Sequence, residues 1–422
     1  MRKLDVLFWS DTPTCATGFA QVAKNILRIL NDTGKYNFHV LGINHTGEAY
    51  DQIKFPYRID PAVSPLTNEM DLHGRGRIVR MLSQNTYDIL FILNDTFLIE
   101  SVMKDILETR EKLPKERQFA IVYYFPIDAR PAKSWIENSV LKVDIPVAYT
   151  QYAKQQCEEL VEKALPDLRV IYHGTNKKDF FVERDEDTKL FKTAVFGPHA
   201  EDFIVLNVNR NQPRKDLHRT FAAFKLFKEK HSKSFLFMLC QMQDIGGDIG
   251  EVAKRYGLVL GEDWACPAPG TYYAAMGYTL DIVRKLYNAA SLIVSTTLGE
   301  GWGLSSTEAF SCKRPILFPK NTSLIEIIGE DEERGYFCSS GEDLDHFTCL
   351  GQVDNNIIRP IVNVFDMADK MCYIAENYEE AKKKAEKGHK WAVSWEDLAP
   401  QWEKVFEDAS HIARFKRGTA ND

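Results

Sequence analysis

The sequence lacks several features that mark particular classes of protein. Its eight cysteines include no C-x-x-C pair, which disfavours a zinc site or a compact disulfide framework and makes a reducing cytosol the expected setting. No apolar run approaches the roughly 18 residues of a membrane-spanning helix, and the apolar run near the start is too short for a signal peptide. With 53 basic and 60 acidic side chains and a net charge of −7, no global field draws the protein to nucleic acid or an anionic membrane.

A chain of 422 residues with 44% hydrophobic content suits two domains of roughly 200 residues each. Short runs rich in β-branched and aromatic residues alternate with segments of helical period, and this pattern occurs twice. The alternation predicts an α/β protein with parallel sheets covered by helices. The predicted strands are LDVLFWS, NFHVLGI, YDILFILND, QFAIVYYFPID, DIPVAYT and DLRVIYHG in the first half, and DFIVLNVNR, SFLFMLCQM, ASLIVSTT, RPILFPK and GYFCSS in the second.

A charged segment without a clear period, near residues 182–200, separates the two halves. We therefore predict a first domain over residues 1–190 and a second over 191–388. The remaining segment, 389–422, is predicted to be a helix that packs on the first domain. Its apolar side chains recur at helical spacing, at Trp395, Leu398, Trp402, Val405 and Phe406.

The first predicted strand runs into a short polar loop, and Gly18 stands where an apolar-periodic helix begins. Unpaired backbone N–H groups at a helix start favour an anion such as a phosphate. A tight strand-to-helix turn also wants glycine for steric reasons alone, so Gly18 by itself leaves both interpretations open.

The second half opens in a related way, with the stretch VLNVNRNQPRKDLHRTF. Arg210 leaves the end of a strand, and Lys215 follows five residues later, just before a helix. Cations at the carboxyl edge of a parallel sheet can bind a diphosphate through charge-assisted hydrogen bonds. The alternative is a solvated basic loop.

The stretch STTLGEGWGLSSTEAF places Glu300 in a loop after a strand and Glu308 about one turn into a helix, with Ser305 or Ser306 available as the cap. The glycines of residues 301–303 would let backbone amides approach a ligand. Two carboxylates that each accept a pair of hydroxyl hydrogens, with amides between them for phosphate, describe a sugar and a ribose. Two capping or surface glutamates are the alternative.

Several stretches resemble retaining glycosyltransferases of the GT-B fold, of the type called family 4. They are EGWGLSSTE, NRNQPRK, RVIYHGTNKKDFF, VRKLYNAASLIVSTT and SWEDLAPQWEKVF, which together extend over nearly the whole chain. The resemblance implies two Rossmann-like, doubly wound domains that face each other across a cleft, with a C-terminal helix that crosses back to the first domain.

The resemblance also implies a function: transfer of a sugar, a hexose above all, from a nucleotide-diphosphate sugar such as UDP-glucose or a GDP-sugar to a hydroxyl acceptor. Glu308 would hold the ribose hydroxyls, Glu300 the hydroxyls of the transferred sugar, and Arg210 and Lys215 the diphosphate. No metal or other cofactor would be required, and the departing phosphate would take the acceptor proton during same-face attack. The remaining donor-binding positions are Gly18, Gly301, Trp302, Gly303 and Leu304.

Two positions depart from the family pattern. Asp128 stands where the family often has a histidine, and it could contact a sugar hydroxyl, act as a base or only cap its loop. Lys313 replaces a glycine after the helix of Glu308, which puts a left-handed turn there in doubt. Either Lys313 or Arg314 could then face the ligand.

The acceptor is expected on the first domain, where His45, Arg75 and Arg77 are candidate contacts. These arginines, with Arg80, could bind an anionic acceptor such as a phosphorylated lipid, a sugar phosphate or DNA, or could simply begin a surface helix. Some phage GT-B enzymes glucosylate hydroxymethylated DNA bases, in which case the host cytoplasm would be the setting. Residues 1–190 carry 25 basic and 27 acidic side chains, without the basic stripe that DNA binding favours.

Two further functions stay open at this point. A nucleotide-sugar epimerase could use the same fold, although the acidic and histidine residues usual in that class are not found. A binding protein that has lost catalysis is the other, and the presence of Arg210, Lys215, Glu300 and Glu308 argues against it.

Overall fold

The computed structural model describes residues 2–63, 71–273 and 276–419. The chain forms two compact units. Unit 1 comprises Met1–Ile127, Pro131–Gly174 and Trp395–Asp422, and unit 2 comprises Asp128–Arg130 and Thr175–Ser394. The chain thus enters unit 2 before the charged segment at which the sequence placed the domain boundary, and the short segment around Asp128 also belongs to unit 2.

Unit 1 is built on a seven-stranded sheet with the order β3-β2-β1-β4-β5-β6-β7, all of whose pairings are parallel. Its strands are β1 Leu4–Asp11, β2 Tyr36–Ile43, β3 Arg58–Pro61, β4 Ile89–Leu93, β5 Ala120–Phe125, β6 Ile145–Ala148 and β7 Arg169–Val170. Its helices are α1 Gly18–Asn31, α2 Arg75–Gln84, α3 Thr96–Lys112, α4 Lys133–Asn138, α5 Gln151–Val161 and, from the end of the chain, α14 Trp395–Arg417.

The central strands of unit 1 are apolar runs because helices cover both faces of the sheet: every residue of β4 and β5 is buried. The apolar stripe of α14 is buried as well, and α14 packs on α1 and β5 within this unit. There the indole ring of Trp402 meets the rings of Phe91 and Tyr124, at centroid distances of 5.5 and 4.8 Å. The helical spacing of the stripe therefore reflects a core contact.

Unit 2 is built on a six-stranded sheet with the order β12-β9-β8-β13-β14-β15, again with parallel pairings throughout. Its strands are β8 Phe203–Asn207, β9 Ser234–Met238, β12 Trp264–Ala265, β13 Leu292–Val294, β14 Ile316–Pro319 and β15 Tyr336–Cys338, with two antiparallel hairpins outside the sheet, β10 Gln243–Asp244 with β11 Gly247–Asp248, and β16 Phe347–Cys349 with β17 Ile358–Pro360. Its helices are α6 Asp185–Phe196, α7 Leu217–Lys230, α8 Ile249–Arg255, α9 Leu280–Ala289, α10 Leu304–Ser311, α11 Thr322–Ile328, α12 Val364–Glu376 and α13 Tyr378–Trp391.

Both sheets are doubly wound, so each has a point at which the strand order reverses. In unit 2 this point lies between β8 and β13, and in unit 1 between β1 and β4. Ligands of open α/β sheets bind outside the carboxyl ends of the strands at this reversal. A ligand site of unit 2 is therefore expected at the loops that follow β8 and β13.

Within the ranges that the structure describes, none of the helices combines the length and the apolar character needed to cross a membrane. The cysteines are all free thiols.

Candidate functional site

Buried polar side chains join the loops that follow β8 and β13. Asn209 Nδ2 donates to Ser295 Oγ at 3.1 Å, and the hydroxyls of Thr220 and Thr296 lie 2.9 Å apart. Thr296 Oγ1 also donates to the Lys215 carbonyl oxygen at 3.1 Å. A buried polar network whose hydrogen bonds are all satisfied is rigid. These contacts therefore hold the loop of Lys215 against the end of β13, which leads to Glu300.

Lys215 and Glu300 form a buried ion pair between the Nζ atom and Oε1. Burial lowers the pKa of Lys215 to about 8, an effect strengthened by Arg214 and opposed by the Glu300 carboxylate. Burial alone would raise the pKa of Glu300, but the charges of Lys215 and Arg214 lower it. The pair thus holds an ammonium group and a carboxylate side by side at the reversal point of the sheet.

Arg214 adds a second cation to this pair. Its Nη1 atom donates to the Gly299 carbonyl oxygen at 3.1 Å and lies 3.9 Å from Glu300 Oε2 and 3.6 Å from Asp128 Oδ2. Sequence reasoning passed over Arg214 because the family spacing selects Arg210 and Lys215. An arginine directly before the lysine was the available signal.

Asp128 joins the cluster through Arg214 and through Arg359. The guanidinium of Arg359 donates to the Asp128 carbonyl oxygen at 2.9 Å and to Oδ1 at 3.3 Å. Burial opposes ionisation of Asp128, yet the charges of Arg359 and Arg214 hold its pKa below the ordinary value. Asp128 is therefore an ionised hydrogen-bond acceptor, and its lowered pKa makes it a weaker base than an ordinary carboxylate.

Arg210 takes part in a different ion pair. Its Nε and Nη2 atoms donate to both carboxylate oxygens of Asp244, on hairpin β10–β11, at 2.7 and 3.1 Å. The hydrogen bond that the guanidinium donates to this carboxylate raises the pKa of Arg210. The Arg210 side chain is 43% exposed, in contrast to the buried Lys215. The structure thus gives Arg210 a carboxylate partner of its own, which the sequence did not indicate.

Glu308 lies on α10 and accepts a hydrogen bond from the hydroxyl of Tyr287 at 2.8 Å. Burial raises the pKa of Glu308 to about 7, and the Tyr287 hydrogen bond opposes this rise. Tyr287 belongs to the LYNAA segment on α9 and was not identified as a partner from sequence. Glu308 therefore changes charge near neutral pH.

The Gly-Trp-Gly stretch is held by contacts on both sides. Gly303 has φ 93° and forms the N-cap of α10, and a Cβ there would lie 2.9 Å from the side chain of Leu324. The expected cap, Ser305 or Ser306, is wrong: α10 begins at Leu304 because glycine accepts the left-handed conformation that this turn requires.

Trp302 is 3% exposed, and its indole ring stacks on that of Trp391 at 6.2 Å. Its side chain is thus a packing group, and only the backbone of this stretch is suited to face a ligand. In the first turn of α10 the Ser306 amide donates to the Gly303 carbonyl oxygen at 2.9 Å, and the N-cap glycine supplies no side chain to the amides that precede it.

Lys313 adopts the left-handed turn that its identity had put in doubt, with φ 53°. Its Nζ atom lies 2.9 Å from Glu386 Oε2 on α13, and both side chains are 40% exposed. The amine is thus committed to a surface ion pair with a neighbouring helix.

Gly18 lies in unit 1 as the first residue of α1, after the N-cap Thr17. Thr17 Oγ1 accepts from the amide of Ala20 at 3.2 Å and donates to the carboxylate of Asp11. Burial raises the pKa of Asp11, and the hydrogen bond from Thr17 opposes this rise. Asp11 was not singled out from sequence, and its carboxylate bears directly on whether an anion binds there.

The three candidate acceptor contacts in unit 1 each have an acidic neighbour. His45 is buried and its Nδ1 atom lies 2.9 Å from Glu48 Oε1. On α2, Arg75 Nε lies 3.7 Å from Asp71 Oδ1, and Arg77 Nη2 lies 3.9 Å from Asp60 Oδ2. These contacts involve only neighbouring residues of the same unit, and the acceptor role stays a prediction.

Across residues 2–63, 71–273 and 276–419, no group of three or more histidine, cysteine, aspartate or glutamate side chains is arranged to hold a metal ion.

No family model and no curated protein matches this sequence. Solved structures do resemble its fold. HepE of Anabaena, in complex with UDP-glucose, is 13% identical with a TM-score of 0.69, over 96% of this chain and 100% of that one. Sucrose-phosphate synthase of Thermosynechococcus elongatus is 14% identical with a TM-score of 0.72, over 96% and 99%. A glycosyltransferase of Rickettsia africae is 15% identical with a TM-score of 0.69, over 99% of both chains. The chain thus has the GT-B fold.

Proposed function

We propose that this protein is a glycosyltransferase that moves a sugar from a nucleotide-diphosphate sugar to a hydroxyl acceptor. The observation that carries the proposal is the buried contact of Lys215 with Glu300, beside Arg214, at the reversal point of the unit 2 sheet. Cations at this point suit a diphosphate, and a carboxylate beside them suits sugar hydroxyls. A solved structure of the same fold holds UDP-glucose, which makes a UDP-sugar the first donor to test.

The proposed chemistry divides the residues into two sets. Lys215 and Arg214 stabilise the negative charge that grows on the departing diphosphate, the contribution that positioned cations make to such a transition state. Glu300 and Asp128 accept hydrogens from hydroxyls of the transferred sugar, and Glu308 accepts those of the ribose. We propose retention of configuration, with the departing phosphate taking the acceptor proton, so that no enzyme nucleophile is required.

We also propose that the reaction requires no metal, because Lys215, Arg214 and Arg210 supply positive charge where a divalent ion would otherwise act. The position of the acceptor on the first domain stays a prediction of the sequence. The same is true of a hexose as the transferred sugar and of a cytosolic setting. Neither an epimerase nor a DNA-modifying enzyme is favoured by a contact in either unit.

The test is a panel of UDP- and GDP-sugars, with and without candidate acceptors, in which release of the nucleoside diphosphate is measured. Lys215→Ala should reduce the release at least about 100-fold, the scale of losing a charge-stabilising contact. Glu308→Ala should also reduce the release, because the donor would lose its ribose contacts. Lys225→Ala is the matched control, since Lys225 lies on α7, forms an exposed pair with Glu229 and should retain activity.

Unchanged release in both site variants would refute the site assignment. Loss of activity in EDTA that manganese restores would refute the metal-free reaction. Release that occurs without any glycosylated product, together with a changed donor sugar, would indicate an epimerase instead.

A further inference from the structure

Arg359 is a buried arginine that belongs to none of the motifs identified in the sequence. It lies on β17 of hairpin β16–β17, outside the main sheet of unit 2, and its side chain is 3% exposed. Its strand neighbour Ile358 is 68% exposed. Alternate residues of a strand point to opposite faces, so the hairpin turns Arg359 inward while its other face meets solvent.

The guanidinium of Arg359 is shared between two carboxylates. Its Nη2 atom donates to Asp354 Oδ1 at 2.9 Å, and its Nε atom donates to the same carboxylate. On the other side, Nη1 donates to the Asp128 carbonyl oxygen at 2.9 Å, and Nη2 lies 3.3 Å from Asp128 Oδ1. A planar guanidinium can meet two partners in this way, whereas the ammonium of lysine cannot reproduce the fork.

Asp128 is the link from Arg359 to the donor site. Its second carboxylate oxygen, Oδ2, lies 3.6 Å from Arg214 Nη1, which in turn lies 3.9 Å from Glu300 Oε2. The Asp128 backbone is equally close to this loop, since a Cβ on Gly299 would lie 1.9 Å from the Asp128 carbonyl oxygen. Only glycine admits this approach, so Asp128 lies directly beside the loop that carries Glu300.

We propose that Arg359 is a positioning residue of the donor site: braced by Asp354, it orients the Asp128 carboxylate next to Arg214 and Glu300 so that it can accept a hydroxyl hydrogen of the transferred sugar. This inference rests on the proposed function. It gives hairpin β16–β17 a role in selecting the sugar part of the donor, while the nucleoside diphosphate is bound by other residues.

The proposal predicts that Arg359 affects how the sugar part of the donor is handled and not how the nucleotide part is bound. Loss of Arg359 should impair steps that depend on the sugar and leave the affinity for UDP, which has no sugar in this position, nearly unchanged. If Arg359 acts through Asp128, removing both residues should cost no more than removing either one, because coupled residues are not additive.

The experiment compares Arg359→Gln, Arg359→Lys, Asp128→Asn and the double variant Arg359→Gln/Asp128→Asn. The rate of UDP release from UDP-glucose, or from the donor that the panel identifies, and the Kd of UDP are measured for each. Arg359→Gln and Asp128→Asn should each lower kcat at least about tenfold, a loss within the range of misplaced catalytic groups. The double variant should match the single ones, UDP affinity should stay within about threefold, and Arg359→Lys should recover only part of the rate.

Asp354→Asn provides a second route, because it keeps the Arg359 charge and weakens its brace: the charge and one of the two acceptor oxygens of Asp354 are lost. It should lower kcat in the same direction, and it serves as the test if Arg359→Gln fails to fold. Losses that multiply in the double variant, or UDP affinity that falls in step with kcat, would mean that Arg359 is merely structural and would overturn the proposal.

The wild-type protein separates this inference from the function on which it rests. If it neither binds nor turns over any nucleotide-sugar, the proposed function fails and the role of Arg359 fails with it. If it turns over the donor and Arg359→Gln retains the full rate, only the role of Arg359 is refuted.

Discussion

Two ionisable side chains of the proposed donor site have pKa values shifted toward neutral pH, for the same physical reason. Burial lowers the pKa of Lys215 to about 8 and raises the pKa of Glu308 to about 7. Desolvation disfavours the charged form of each group, so it moves a lysine downward and a carboxylic acid upward. Both groups are proposed to act in their charged forms, which confines activity to a narrow pH window.

We therefore expect a bell-shaped dependence of kcat/KM on pH, which reports groups of the free enzyme. Activity should fall as pH rises through about 8, because Lys215 loses the charge that binds the diphosphate, and should fall as pH drops through about 7, because Glu308 gains a proton. Lys215→Arg should move the alkaline limb upward, since a guanidinium stays charged. Glu308→Gln should abolish the acidic limb at a reduced rate. Limbs that stay in place in both variants would assign the titration to other groups.

Lys313 offers a prediction about stability. Its backbone is left-handed, at φ 53°, a conformation that costs a residue with a Cβ about 1–2 kcal/mol. Lys313→Gly should raise the free energy of unfolding by about 0.5–1 kcal/mol, because the relief of strain exceeds the greater flexibility of glycine in the unfolded chain. Chemical denaturation measures the change.

The exposed ion pair of Lys313 with Glu386 is the matched control for that variant. Glu386→Ala removes the pair alone and should change stability by less than about 1 kcal/mol, as is usual for surface pairs. A Lys313→Gly protein that is less stable than the wild type would contradict the strain argument.

At the scale of elements, the position of Glu308 depends on the packing of α10 against α13. Gly388 lies inside α13, and a Cβ there would lie 2.4 Å from Cδ1 of Phe310 on α10. Glycine is a poor helix former, so its presence in a helix interior indicates that the two helices need the close approach. The helix that carries Glu308 is thus located by the contact of Phe310 with Gly388 on the neighbouring helix.

Gly388→Ala should therefore destabilise the protein by about 1–3 kcal/mol through overpacking, although alanine gains about 1 kcal/mol over glycine in an unobstructed helix. The shift of α10 should also weaken nucleotide binding. Lys383→Ala, at an exposed position of the same helix, is the control and should be neutral or slightly stabilising. Equal effects of the two variants on thermal unfolding would show that α10 and α13 tolerate a wider spacing.

The helices and strands also show how much of the secondary structure the sequence patterns predicted. The strands predicted from apolar runs are present in both sheets, and the doubly wound arrangement that the family resemblance implied is confirmed. Strands β3 and β12 and the hairpins β10–β11 and β16–β17 were missed, because strands of two to four residues are too short to show a period. Both hairpins carry residues that contact the site, Asp244 on the first and Arg359 on the second.

At the scale of the molecule, the proposed donor contacts Asp128, Lys215, Glu300 and Glu308 all belong to unit 2. A ligand that binds only the native state stabilises it by about 2.7 kcal/mol at a concentration of 100 Kd. UDP at that ratio should raise the free energy of unfolding of unit 2 by this amount, and Lys215→Ala should remove most of the increase.

Hydrogen exchange should show the protection in the segments after β8 and β13. Protection at the start of α1 as well would support the predicted contact of Gly18 with the donor, and its absence would restrict the donor site to unit 2. Stabilisation of equal size in wild type and Lys215→Ala would place the nucleotide elsewhere.

The sequence by itself determined the class of fold, because strand and helix periods are local properties, and it placed Lys215 and Glu300 each in a loop after a strand of a parallel sheet. The ion pair between these two side chains is seen only in the tertiary structure. Only the tertiary structure decided which charges pair. Arg210 pairs with Asp244, Arg214 joins Glu300, and Arg359 reaches Asp128 across 231 residues of chain. Such pairs depend on packing between elements distant in sequence, and no local pattern encodes the distance between their side chains.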